Sequence, residues 1–340
     1  MRKYAIPNMR LSATSFLLHE TYVPAVRFAA ERCDDVALLL VETGERGEYL
    51  ATPDEIREIG RIADGEGVTL HVHLPTDADF DTREGARAML GKVRRVAELT
   101  GPLDPHSFVL HVDFPSLHGT GREPSAEQQG WTAEALREIA ACLPAPERLA
   151  VENLETYPPS FWDRWLAGMP YSRCLDVGHI WKDNGDPAAV LTAWLPRVRV
   201  IHLHGLEPRK EATPHGAVTG SEGGRATPEA PQGDARTGGM PPDGNGGAHG
   251  WADSDGKNLS ACQGAAGLPD GEALPRLFGP RPRDHKSLRL MPPALVDTVM
   301  HPLWRAGFNG VLNLEVFCVE DFTASHAVLM HSWERYMATF

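Results

Sequence analysis

Imidazole and carboxylate groups recur in this chain at one kind of place, the ends of short apolar runs. One run ends His71-Val72-His73-Leu74-Pro75, the next Leu110-His111-Val112-Asp113, then Val151-Glu152-Asn153 and Leu175-Asp176-Val177-Gly178-His179. Two more read Val200-Ile201-His202-Leu203-His204-Gly205 and Leu312-Asn313-Leu314-Glu315-Val316-Phe317. Such groups are costly inside apolar strands unless they are paired or bind a metal. Residues two apart, as His71 and His73 or His202 and His204, face the same side of a strand. Any one of these histidines alone reads as an ordinary core residue, but six successive runs ending in metal-capable groups point to an open, catalytic metal site. Imidazole with carboxylate suits Zn²⁺, Mn²⁺ or Fe²⁺, and the absence of nearby thiolates disfavours a closed structural zinc site. More such groups are present than one ion can use, which predicts two or three divalent ions, zinc first and manganese or iron next, an arrangement suited to phosphoryl-oxygen chemistry.

Strands must hold these groups. The candidates are Leu11–Phe16, Val36–Glu42, Thr69–Leu74, Phe108–Asp113, Leu149–Leu154, Arg173–Val177, Val198–His204 and Val311–Phe317, short runs rich in β-branched and other apolar residues. Between them lie segments of helical periodicity, among them Pro53–Gly65, Arg83–Thr100, Thr132–Cys142, Pro187–Leu195 and Pro293–Ala306. Thr52-Pro53 and Asp186-Pro187 read as N-caps followed by proline in the first turn, and Gly67, Gly101 and Gly307 as helix stops. Eight strands alternating with helices predict a single (β/α)8 barrel of the α/β class, in which catalytic groups gather at the C-terminal ends of several strands. A doubly wound sheet is the alternative, but no Gly-x-Gly-x-x-Gly follows the first strand.

The chain has 340 residues, and residues 211–280 hold 16 of its 33 glycines and eight of its 28 prolines. Set aside as an insertion, spanning 206–283 after the seventh strand, this stretch leaves roughly the length of one barrel, so residues 1–340 read as one domain. Its composition predicts a largely unordered segment. The net charge of −13 and the lack of a basic run argue against nucleic acid as a partner. Five scattered cysteines without a Cys-x-x-Cys pair read as buried thiols. No signal-like apolar run opens the chain and none is long enough to span a membrane, so a cytoplasmic location is expected. The oligomeric state is not legible.

Glu152-Asn153, the Asp-x-Gly-His of Asp176 to His179, Ile201 to His204 and Leu314 to Val316 resemble the xylose-isomerase-like barrel superfamily, which includes sugar isomerases, epimerases and metal-dependent AP endonucleases. With Ser12 to Phe16, Leu38 to Glu42, His71 to Pro75 and Asp284 to Leu288 added, the pattern is similar to the cobamide-remodelling phosphodiesterases. That resemblance implies a metal-dependent hydrolase that cleaves the nucleotide loop of a small corrinoid substrate during cobalamin salvage. It also implies roles. His73 and His111 would hold one ion and Glu152 would bridge to a second, completed by Asp176, His202 and Glu315. His179 and His285 would bind a third, with Glu152, Glu315 and His285 as the catalytic groups. In the endonucleases the last motif is Asp-x-His, whereas Asp284 and His285 are adjacent here, which weakens the third site. Glu42, Asn153, Trp181 and His204 are candidates for contacting substrate. The alternative is a sugar or sugar-phosphate isomerase or epimerase, which needs one ion held by Glu152, Asp176, His202 and Glu315. A non-catalytic binding barrel is a third reading, opposed by the intact ligand set.

Overall fold

The computed structural model describes residues 3–18, 20–40, 42–43, 47–48, 50–208, 278 and 282–340. Residue alternation builds the barrel. Leu11, Val36, Leu38, Leu70, Val72, Phe108, Leu110, Leu149, Val151, Leu175, Ile201, Leu203, Leu312 and Leu314 belong to the large apolar core. The alternate positions Val109, Ala150, Cys174, Val200 and Val311 form a separate small cluster. Period-two alternation puts these two sets on opposite faces of the strands, one toward the helices and one toward the barrel axis.

Eight strands close the barrel: β1 (Arg10–Thr14), β2 (Asp35–Leu39), β5 (Thr69–His73), β6 (Phe108–Leu110), β7 (Leu149–Glu152), β8 (Ser172–Asp176), β9 (Val198–Leu203) and β12 (Val311–Leu314). All neighbours pair in parallel, β1 meeting both β12 and β2, so the expected (β/α)8 fold is present. Around it run α1 (Tyr22–Ala30), α2 (Pro53–Glu66), α3 (Arg83–Thr100), α4 (Ala126–Ala141), α5 (Pro159–Leu166), α6 (Val177–Lys182), α7 (Pro187–Trp194), α8 (Pro293–Arg305) and α9 (Val319–Met337). The Thr52 cap is a full capping box with Glu55, and Asp186 accepts from the Ala188 amide at 2.9 Å.

Four expectations need correction. The second strand stops at Leu39, and Glu42 falls instead in β3 (Glu42–Thr43), paired antiparallel with β4 (Gly47–Glu48). Glu42 pairs with Glu48 and Thr43 with Gly47, a local antiparallel pairing that takes these residues out of the parallel barrel. Helix α4 begins at Ala126, ahead of the expected Thr132, because Ser125 and Gln128 form a capping box. Gly67 and Gly307 adopt the left-handed conformation that stops a helix, whereas Gly101, at φ −46°, starts a 3₁₀ turn. Cys33, Cys142 and Cys174 are free, but Cys318 is disulfide-bonded.

The insertion expected over 206–283 lies mostly outside the described residues. Its two ends pair as β10 (Gly205–Glu207) and β11 (Arg283–Lys286), antiparallel, over the C-terminal mouth of β9. Among the described residues, no helix is long and apolar enough to cross a membrane.

Candidate metal centre

Glu152 closes β7 with its side chain on the barrel axis, 1% exposed. Its Oε2 lies 3.3 Å from His73 Nε2 and 3.1 Å from His111 Nε2, and its Oε1 lies 3.1 Å from His202 Nδ1. That same His202 nitrogen is 2.9 Å from Glu315 Oε2 and 3.9 Å from Asp176 Oδ2. Three buried carboxylates from β7, β8 and the end of β12 therefore converge on one imidazole of β9. Strand spacing alone brings them there, since each sits at an inward position at the C-terminal end of its strand.

Three anions buried at one point are unfavourable without a cation. In the metal-free protein the histidines serve. Burial would hold the His202 ring neutral, yet Cys174 and the Glu315 and Glu152 carboxylates raise it well above its ordinary value. His179 is likewise pushed up to about 10, with burial opposing and Asp176, Glu155 and Glu152 prevailing. Burial would raise Glu152 and Glu315, but His202 above all keeps both below the usual carboxylate range, hence ionised.

A divalent cation fits this donor set. Asp176 Oδ2 and His202 Nε2, both fully buried, have no hydrogen-bond partner among the described residues. His73 Nδ1 is fixed by the Leu74 main-chain oxygen at 2.9 Å, and His179 Nδ1, which also faces Asp176 Oδ2 at 3.6 Å, lies 3.0 Å from Asn153 O. His73 Nε2 is thereby turned toward Glu152, as outer hydrogen bonds orient imidazole ligands, whereas His179 Nε2 faces Glu155 at 3.4 Å. Among the described residues, several His, Cys, Asp and Glu groups lie close enough to share an ion, including His73 with His202 and Glu315, and His73 with His111 and Glu152.

Supporting residues explain the local sequence. Asn153 acts as a clamp: its Oδ1 accepts from the Asp176 amide at 2.9 Å and its Nδ2 donates to the Asp176 carbonyl at 2.8 Å. This holds the Asp176 backbone so that its carboxylate faces the axis, where Oδ1 also accepts from the His179 amide at 2.6 Å. Gly178 is dictated by His204, because a Cβ at 178 would overlap the buried imidazole. Gly178→Ala should therefore cost about 1–3 kcal/mol in denaturant unfolding, the usual range for overpacking. Gly65→Ala in α2, where a Cβ meets nothing within 4 Å, is the matched control and should be neutral or mildly stabilising.

The remaining expected residues separate into two groups. His204 and His285 join the site as a stack, rings 4.4 Å apart, with His285 in turn 5.1 Å from the Phe317 ring. His285 Nε2 is 3.8 Å from Glu315, while Asp284 turns away toward Lys182 and His285 Nδ1. The adjacent Asp284 and His285 thus do not face one ion together. Trp181, expected at the mouth, is 1% exposed and packed in the core, because α6 turns it inward beneath the rim. Glu42 sits in the β3–β4 hairpin. Sequence reasoning missed Glu155 and Lys182. Glu155 is held down to about 2, burial opposing and His179 and Lys182 prevailing, and Lys182 bridges it to Asp284. Neither lies at a strand end, and their pairing crosses two loops.

Neither a family model nor a curated protein matches this chain. Solved structures do. A D-tagatose 3-epimerase-like protein aligns at TM-score 0.60 and 14% identity over 97% of this chain and 99% of its own. An L-ribulose 3-epimerase aligns at 0.57 and 11% over 97% and 96%, and a xylose isomerase domain protein from Planctomyces limnophilus at 0.54 and 10% over 99% and 100%. The chain thus shares the (β/α)8 fold of these barrels. These neighbours overturn the expected cobamide phosphodiesterase: barrels that match over nearly the full length bear the names of sugar epimerases and isomerases. At the site Asp284 is taken up by Lys182, while His179, His204 and His285 lie close enough together to share an ion.

Proposed function

We propose that this chain is a metal-dependent sugar isomerase or epimerase. The observation that carries the reading is the placement of Glu152 and Glu315 against the same His202 nitrogen, at 3.1 and 2.9 Å, with Asp176 completing the set. Two ionised carboxylates meeting at one point suit removal of a proton from a carbon beside a carbonyl and its return. Glu152, Asp176, His202 and Glu315 would hold one divalent ion. Three carboxylates and one imidazole form an oxygen-rich set that favours Mn²⁺ over Zn²⁺. A bound ion there supplies Lewis acidity, drawing electron density from the sugar carbonyl so that the neighbouring C–H becomes acidic.

The chain's own groups do the rest. Glu152 or Glu315 takes the proton, and the partner carboxylate or the same one delivers it back, the choice of face or carbon setting the product. His73 and His111, whose Nε2 atoms point at Glu152, are placed to orient a sugar hydroxyl and fix which Glu152 oxygen stays available. The buried walls of the barrel exclude water while the carbanion-like charge is present.

Stripping the protein with chelator should abolish ketose interconversion, and Mn²⁺ should restore it at about one ion per chain. The measurement is chromatography of D-fructose, D-tagatose, D-allulose and L-ribulose reactions beside elemental analysis of the protein. Failure of the metal-loaded protein to convert any ketose or aldose overturns the reading. Two or three tightly held ions would restore the multi-metal expectation for the His73, His111 and Glu152 side of the site.

A further inference from the structure

The wall of the metal centre formed by His179 has a second face. His179 Nδ1 stands 3.6 Å from Asp176 Oδ2 on one side, and on the other the ring lines a cavity of about 520 Å³ between the β7–α5 loop and α6. Asn153, Thr156, Tyr157, Lys182 and Asn184 also line it. A space of that size is well within the ~300–1,000 Å³ of small-molecule pockets, and it lies outside the ring of metal-capable groups. One imidazole separates the two.

The walls of this cavity are pinned. The Thr156 amide donates to Asp183 Oδ2 at 2.5 Å, and Lys182 Nζ donates to Glu155 Oε1 at 3.0 Å, so the two loops are tied to each other. Thr156 and Asn184, neither of them glycine, hold left-handed backbones at φ 73° and 59°. Such positions carry strain and persist where the surroundings over-determine them.

Its chemistry selects against charge. Lys182 is engaged by Glu155 and Asp284, and His179 by Asp176 and Glu155, so neither lining cation is open to a phosphate or carboxylate. What remains is the Thr156 hydroxyl, the Asn184 amide, the Asp183 carboxylate that accepts from the Thr156 amide, the rim of Tyr157 and the faces of Pro158 and Pro159, a mixture of polar and flat apolar groups. A neutral sugar ring offers hydroxyls at its edge and C–H groups on its face.

Resting on the isomerase reading, we propose that the substrate is a glycosylated ketose, its reducing unit at the metal centre and a second, uncharged sugar ring in this cavity beyond His179. The chemistry is confined to the reducing unit: the C–H bond beside its carbonyl breaks, a carboxylate holds the proton and returns it, and the glycosidic bond is untouched. Binding energy from the second ring then serves the reacting one.

Pro158 gives a clean test. It lies on the exposed rim at φ −65° and ψ 146°, caps α5 without a side-chain bond and takes no part in the metal centre. Any residue adopts that backbone ahead of Pro159. Wild-type protein and Pro158→Trp would be compared, manganese-loaded, on D-fructose and on two glycosylated fructoses, isomaltulose and lactulose. The expected result is a kcat/KM about tenfold or more higher for a disaccharide than for fructose, with Pro158→Trp changing the disaccharide value about tenfold and the fructose value by less than about twofold. Preference for free fructose, or equal effects of the variant on both, overturns the proposal and leaves the isomerase reading standing. Conversion of no ketose, free or glycosylated, removes both.

Discussion

Glu152→Gln should lower turnover by at least about 10³-fold while leaving the fold intact. The substitution keeps the shape of the side chain and removes its charge, so packing on the barrel axis is preserved. Two functions are lost together. The amide is a poor ligand for a divalent ion, and it cannot take up a proton from carbon, a contribution worth about 10²–10⁴-fold where a general base is positioned. The neighbours report the same change: without the Glu152 charge, one of the carboxylates that hold the His202 proton is gone. Activity on a ketose, metal content and far-ultraviolet circular dichroism together check this. Wild-type-like turnover by a folded, metal-loaded Glu152→Gln protein would exclude Glu152 as base. Glu315→Gln should fall comparably, because Glu315 is the other carboxylate at His202 Nδ1.

The largest expected stability effect lies at the opposite end of the barrel. Asp35 opens β2, is fully buried, and receives three groups: His71 Nδ1 at 2.5 Å, His106 Nε2 at 3.0 Å and Thr69 Oγ1 at 2.5 Å. Arg10 reaches the same Thr69 hydroxyl at 3.0 Å. Asp35→Ala strips an acceptor from all three at once and should cost about 3–5 kcal/mol in all, at about 1–3 kcal/mol for each buried donor left unsatisfied. Asp35→Asn, which keeps one acceptor oxygen, should cost less. Burial would raise the Asp35 pKa, but His71 and His106 outweigh it and hold the group below its ordinary 3.8. A depressed carboxylate contributes stability above its unfolded pKa and loses it as pH falls through the folded value. The deficit of Asp35→Ala in urea melts should therefore be constant from pH 7 to about 5 and narrow only below the ordinary carboxylate range. A deficit that is full at about pH 5 and shrinks as pH rises to about 8 would mean that the pair is carried by a charged histidine instead.

How far the site could be read in the sequence depends on where each residue sits. Groups at strand ends were legible because period two and the barrel geometry send them to one rim: His73, Glu152, Asp176, His202 and Glu315 all arrive there. His204 and Asn153 were legible by the same rule, though not their tasks, one filling the space beside Gly178 and the other clamping the Asp176 backbone. Lys182 and Glu155 were not, nor was their link to Asp284, because this pairing joins α6, the loop after β7 and the β11 hairpin, segments that no periodicity relates. Trp181 misled for a similar reason. It follows the Asp-x-Gly-His motif closely, but one turn of α6 rotates it from the rim into the core. His106 carries no strand-end signal, yet the loop before β6 places it against Asp35.

By itself the sequence determined the eight-stranded α/β barrel, the rim that carries the chemistry and the metal-capable character of its groups. Those follow from local pattern: alternation buries one face of each strand, and parallel closure leaves all the C-terminal ends on one side. Tertiary structure decided which donors share a centre, which carboxylate is spent on Lys182, and that a cavity beyond His179 adjoins the site. These depend on distances across strands and loops far apart in the chain, and an ångström of displacement separates a shared ligand from a salt bridge. The same motif string therefore suits a hydrolase or an isomerase.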